Sequence, residues 1–154
     1  MNLPAAIARG RPTLLRFLLA MAVGNLVWEA AHVPLYTLWV TGSWAEISYA
    51  VLHCTVGDVL IAASSLALAL VVCGRDGWPD QGYVSVAIAT ILLAASYTVF
   101  SEWLNVEVRE SWAYLYLMPR LPWLGTGLTP LLQWVFVPAA AFWWARRADH
   151  PARI

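Results

Sequence analysis

The chain contains no lysine: all nine of its basic residues are arginine. That removes a retinal or pyridoxal Schiff base, the phosphate-binding lysine of a Walker loop and any lysine nucleophile. Charge of either sign is scarce. Nine arginines and nine acidic residues make up 12% of 154 residues and cancel, whereas a soluble domain carries roughly 25%. Without a positive excess there is no electrostatic footprint for a nucleic acid, so none is expected as a partner. Cysteine is nearly missing as well. Cys54 and Cys73 fall on one expected helix, 19 positions apart, which is roughly 28 Å along its axis. They cannot pair with each other, and without a Cys-x-x-Cys element a quinone-coupled disulfide oxidase is disfavoured.

What the chain has instead is apolar surface: 61% of residues are hydrophobic and the mean hydropathy is +0.65. Four apolar runs, at 13–40, 45–73, 83–105 and 128–145, each approach the ~20 residues that a membrane-spanning helix needs. The first is too long, and too well followed by further spans, to be a cleaved leader. The expected fold is all-α: an integral membrane four-helix bundle, with residues 1–154 forming a single transmembrane domain. Arg9, Arg11, Arg16, Arg75, Arg146, Arg147 and Arg153 fall on one side of these spans; only Arg109 and Arg120 fall on the other. By the positive-inside rule both termini are cytoplasmic, and the turn 41–44 and the loop 106–127 face outward. A bacterial inner membrane is the expected location. The loop is itself apolar and aromatic, so an interfacial or re-entrant segment is expected before the last span; a plain hydrophobic connector is the alternative.

Against this background the polar residues inside spans stand out. Glu29, His32, His53, Asp58 and Glu102 are ionisable groups within the expected helices, where a charge near the bilayer centre costs about 2.5–3.5 kcal/mol on insertion scales. The alternating direction of the spans brings all five, with Asn105, Thr129 and Gln133, to one level in the outer half. Asn25, Glu29, His32 and Tyr36 follow a single helical stripe, as do Thr98, Glu102 and Asn105. His53 and Asp58 are less tidy, five apart and therefore ~140° around the helix.

Three uses of such a cluster are open. Glu29-Ala30-Ala31-His32 is a Glu-x-x-His element, a spacing with which helical bundles hold iron or manganese. Glu29, His32, His53, Asp58 and Glu102 would then be the ligands of a transition metal such as Zn, Fe or Mn. A di-iron site needs two such elements and the chain has one. The second use is metal-free acid–base chemistry on a lipophilic substrate, with Glu29, His32, His53 and Glu102 as proton carriers. Trp28, Tyr36, Tyr97, Asn105, Gln133 and Trp134 would line the pocket. Trp28, Trp103 and Trp134 would stabilise a cation, and the segment 112–123 would act as a lid. The third use is structural: buried polar pairs that fix helix register in a non-catalytic accessory or assembly subunit of a larger membrane complex. A proton- or ion-handling protein belongs beside it. The narrow first choice is a small membrane enzyme acting on a lipid or isoprenoid at an outer-leaflet pocket. The expected partners are membrane lipids, a lipophilic small molecule, and a second copy or a larger complex.

Overall fold

The computed structural model describes residues 3–74, 76–123 and 125–149; Arg75 and Arg153 lie outside them. Four long helices carry the chain: α1 (Leu3–His32), α3 (Trp44–Cys73), α4 (Tyr83–Trp103) and α5 (Leu128–Asp149), with a single turn, α2 (Leu38–Thr41), between the first two. Four stretches, Gly10–Leu35, Trp44–Cys73, Tyr83–Val108 and Leu128–Arg147, are long and apolar enough to cross a membrane. The protein is therefore an all-helical integral membrane protein. Helix α1 packs on α3 and α5, and α4 packs on the same two. The arrangement is an up-down-up-down bundle in which the start of α1 and the end of α5 lie at one end.

Each helix turns an apolar stripe outward. Leu15, Leu19, Val23 and Val27 on α1, Leu52, Val56 and Leu60 on α3, and Val84, Ile88 and Leu92 on α4 are all more than half exposed. Steps of four place each set on one face, where lipid rather than water covers it. Inside, the half nearer the termini is packed with apolar residues, including Phe17, Met21, Leu66, Leu70, Val86 and Phe142. Phe17 and Phe142 are 4.3 Å apart between ring centroids, and the Tyr83 hydroxyl donates to the Phe142 carbonyl at 2.6 Å. Trp78, from the link before α4, closes this end against Gly10, where a Cβ would lie 2.0 Å from the indole.

The other end departs from four simple spans. The expected first span, 13–40, is not one helix. Helix α1 stops at His32, Val33–Leu35 forms one 3-10 turn, and Tyr36 is extended. Pro34 is the cause: it has no N–H to donate, and its ring clashes with the preceding turn, so the α-helical ladder cannot continue through it. Ser43 then caps α3. Its hydroxyl accepts from the Glu46 N–H at 3.3 Å, and the Glu46 carboxylate accepts from the Ser43 N–H at 2.8 Å, a reciprocal pairing that satisfies two donors at the helix start. Beyond Trp103, α4 widens into a π-helical turn, Leu104–Val108, so this span also ends later than residue 105.

The segment 109–127 folds over that end. Its residues 113–115 run antiparallel to 35–37. The Thr37 N–H donates to the Ala113 carbonyl at 2.9 Å, and the Leu115 N–H to the Leu35 carbonyl at 2.8 Å, bridging Tyr36 to Tyr114. Gly125 has φ +66°, a left-handed turn that suits glycine. It returns the chain so that Arg120 bridges Gly127 before α5 starts.

Candidate functional site

Between the four helices, under the folded segment, lies a cavity of about 650 Å³. Helix α1 supplies Glu29 and His32, three residues apart and so on one face. Helix α3 supplies Tyr49, His53, Cys54 and Asp58; α4 supplies Tyr97, Thr98, Ser101 and Glu102; α5 supplies Gln133 and Trp134. Tyr36, Asn105, Ser111 and Trp112 complete the wall from the chain that crosses the end of the bundle. All five ionisable residues singled out within the expected spans line this one space.

The centre of the site is Gln133. Its side-chain nitrogen donates to Asp58 Oδ2 at 2.8 Å, to Glu29 Oε1 at 3.1 Å and to Asn25 Oδ1 at 3.1 Å. An amide nitrogen has two hydrogens, so three acceptors share them. Helices α1, α3 and α5 are thereby tied through one side chain. The Glu29 and Asp58 carboxyls thus converge on one nitrogen from two helices. The other oxygen of Glu29, Oε2, lies 3.2 Å from His32 Nε2. That contact leaves His32 Nδ1 buried with no protein partner, and the Thr98 hydroxyl is in the same condition.

Glu102 forms the second half of the site. It is buried on α4 and accepts from the Tyr114 hydroxyl, which in turn accepts from the Gly127 N–H at 3.0 Å. Burial, and then the neighbouring Glu102 carboxyl, push the Tyr114 phenol above its ordinary range, so it stays a donor. Arg120 lies over the Tyr114 ring, 4.9 Å from its centroid. The Trp112 indole approaches the same Glu102 carboxyl, although its N–H makes no well-formed hydrogen bond. The two halves meet through aromatic rings: His32 packs edge-on to Tyr36 at 5.4 Å, and Tyr36 packs on Tyr114 at 5.3 Å.

The expected site residues therefore separate by position. Glu29, His32, Asp58, Glu102 and Gln133 form the interior. His53 is exposed and stacks on Tyr49 at 5.5 Å, so it belongs to the rim with Tyr97. Tyr36 reaches the cavity from extended backbone and not along the α1 stripe. Trp134 is buried in the wall. Trp28 does not line the cavity and stacks on Phe136 at 6.5 Å; Trp103 is exposed beside Phe100. Neither indole faces the cavity to stabilise a cation there. Asn105 donates to the Ser101 carbonyl at 2.9 Å, capping α4 while lining the wall. Thr129 sits apart, its hydroxyl donating to Met118 Sδ at 3.2 Å.

As metal ligands the five residues are not drawn into one shell. Among the described residues no group of three or more His, Cys, Asp or Glu is arranged to hold a metal ion. The Glu-x-x-His element closes on itself, Glu29 against His32, while Asp58 is held by Gln133 and Glu102 by Tyr114. Tyr114 is the participant that sequence reasoning missed. Its only local signal was its place in an aromatic run, and its partners Glu102 and Gly127 are 12 and 13 residues away. Comparison of the chain with family models, with curated proteins and with solved structures finds no match.

Proposed function

We propose that the protein is a small integral membrane enzyme that moves a proton on a lipophilic substrate inside this cavity. The observation that carries the reading is the unpartnered Nδ1 of His32. With Nε2–H donated to Glu29, the imidazole is held in one orientation and its Nδ1 lone pair is free to act as a base. Glu102, which already accepts from Tyr114, is the second proton carrier. Gln133 and Asp58 position Glu29 and through it His32. His53 at the rim is a further proton carrier. The arginine distribution supports an orientation with both termini cytoplasmic, which puts the cavity in the outer leaflet of a bacterial inner membrane, with 109–127 as an interfacial cover. A metal-dependent version would use Glu29, His32, Asp58 and Glu102 after rearrangement to hold Zn, Fe or Mn, with His53 joining from the rim. An accessory-subunit reading is favoured by Tyr116 and Trp123, which are 92% and 96% exposed at the tip of the cover.

The test is the Glu102→Gln variant, which keeps shape and the ability to accept from Tyr114 but cannot carry a proton. Cells bearing it should show the same change in lipid or isoprenoid profile as cells lacking the protein, with the variant present at wild-type level. A deletion that leaves the profile unchanged overturns the reading. Chelation of the purified protein separates the two versions: activity that survives metal removal favours the metal-free one.

A further inference from the structure

The cavity is short of positive charge where its acids meet. Glu29, Asp58 and Glu102 line it, yet no arginine does among the described residues, and the chain has no lysine. Gln133 offers two hydrogens to three acceptors. The Glu29 and Asp58 carboxyls converge on the same Gln133 nitrogen, at 3.1 and 2.8 Å, an arrangement that repels when both are ionised. A phosphate or carboxylate headgroup would find no cation there and would add to that repulsion. A protonated amine does the reverse, bringing a positive charge and up to three donors. Tyr36 and Trp134 are also in its wall, and aromatic rings are compatible with a cation. Thr98, 8% exposed with an unpartnered hydroxyl, and His32 Nδ1 supply acceptors beside the acids. With the Trp112 N–H they make three buried orphans in the wall of one cavity, a place where a bound molecule completes the hydrogen bonding.

We infer that the cavity takes a lipophilic amine, its ammonium seated between Glu29 and Asp58 and its apolar tail leaving along the Tyr97 rim. The inference rests on the reading of the cavity as a substrate site and names the headgroup that site accepts. No bond is made or broken in binding: the amine enters as the cation and its charge is balanced by the carboxylates.

The test uses the full chain in lipid nanodiscs and three probes of one tail length: dodecylamine, dodecanol and dodecyl phosphate. Saturable binding is followed by thermal shift and by native mass spectrometry. Dodecylamine should bind about tenfold more tightly than dodecanol, the difference between a charge-assisted and a neutral hydrogen bond, and dodecyl phosphate more weakly than either. The preference for amine over alcohol should vanish in Asp58→Asn, and the milder Thr98→Val should weaken amine binding without changing the fold. Equal binding of dodecanol overturns the amine assignment and leaves the cavity reading standing. Saturable binding of zinc that excludes the amine overturns it in favour of the metal-dependent version. No saturable binding of any probe overturns both.

Discussion

Gln133 is one side chain doing the joining of three helices. Its partners Asn25, Glu29 and Asp58 lie on α1 and α3. Hydrogen bonds between membrane helices contribute about 0.6 kcal/mol each on average and up to about 1.7 kcal/mol. Gln133→Leu keeps the volume and deletes the donor, so it should lower unfolding stability in mixed micelles by about 2 kcal/mol. A loss below about 0.5 kcal/mol would mean that water replaces the amide without penalty. Individual residues were unevenly legible in the sequence. Glu29, His32, Glu102 and Gln133 were found because ionisable and amide groups are costly in lipid and must be explained wherever they occur. Asp58 and His53 could not be separated, because five positions on a helix put them on different faces and neither face was known to be the inner one. The bundle resolves this by position: Asp58 meets Gln133, and His53 stacks outward on Tyr49. Tyr114 was not legible at all, since a tyrosine in an apolar loop carries no sign of the acid it will meet.

At the scale of the helix, close approach depends on small residues. Gly24 on α1 faces Val137 on α5, and a Cβ at Gly24 would lie 2.7 Å from Val137 Cγ1. This contact is one residue from Asn25, so it sets the spacing at which Gln133 reaches across. Gly24→Ala should therefore destabilise the bundle by about 1–3 kcal/mol through overpacking, and the double variant Gly24→Ala, Val137→Ala should recover much of that loss. Thermal unfolding of the four proteins of the cycle measures the coupling; additive losses would show that the helices shift freely instead. Hydropathy located the helices but misjudged where the first one ends. Val33, Pro34 and Leu35 are apolar enough to extend the run, and hydropathy takes no account of a missing N–H. The π-helical turn after Trp103 was invisible for a related reason: it is a change in hydrogen-bond register with no change in composition.

The whole molecule is two unlike halves stacked along the bundle. Aliphatic and aromatic packing fills the half at the termini, and the acids, amides and imidazoles fill the half beneath 109–127. This division was legible from sequence because it follows from the alternating direction of the spans. Which half faces out depends on the arginines, and it can be measured. In a background of Cys54→Ala and Cys73→Ala, a cysteine replacing Trp123 should react with an impermeant maleimide in intact cells. One replacing Arg147 should react only after the membrane is opened. The opposite pattern would invert the proposed orientation and place the cavity at the cytoplasmic face.

The pairing of 113–115 with 35–37 has a mechanical consequence. Tyr114 lies in that pairing and also holds Glu102, while Tyr36, its opposite residue, packs against His32. Displacing 113–115 would therefore withdraw the phenol from one acid and loosen the ring beside the imidazole in the same movement. On the proposed reading, the same pairing that covers the cavity would also arm it, so cover and chemistry would be coupled through Tyr36 and Tyr114.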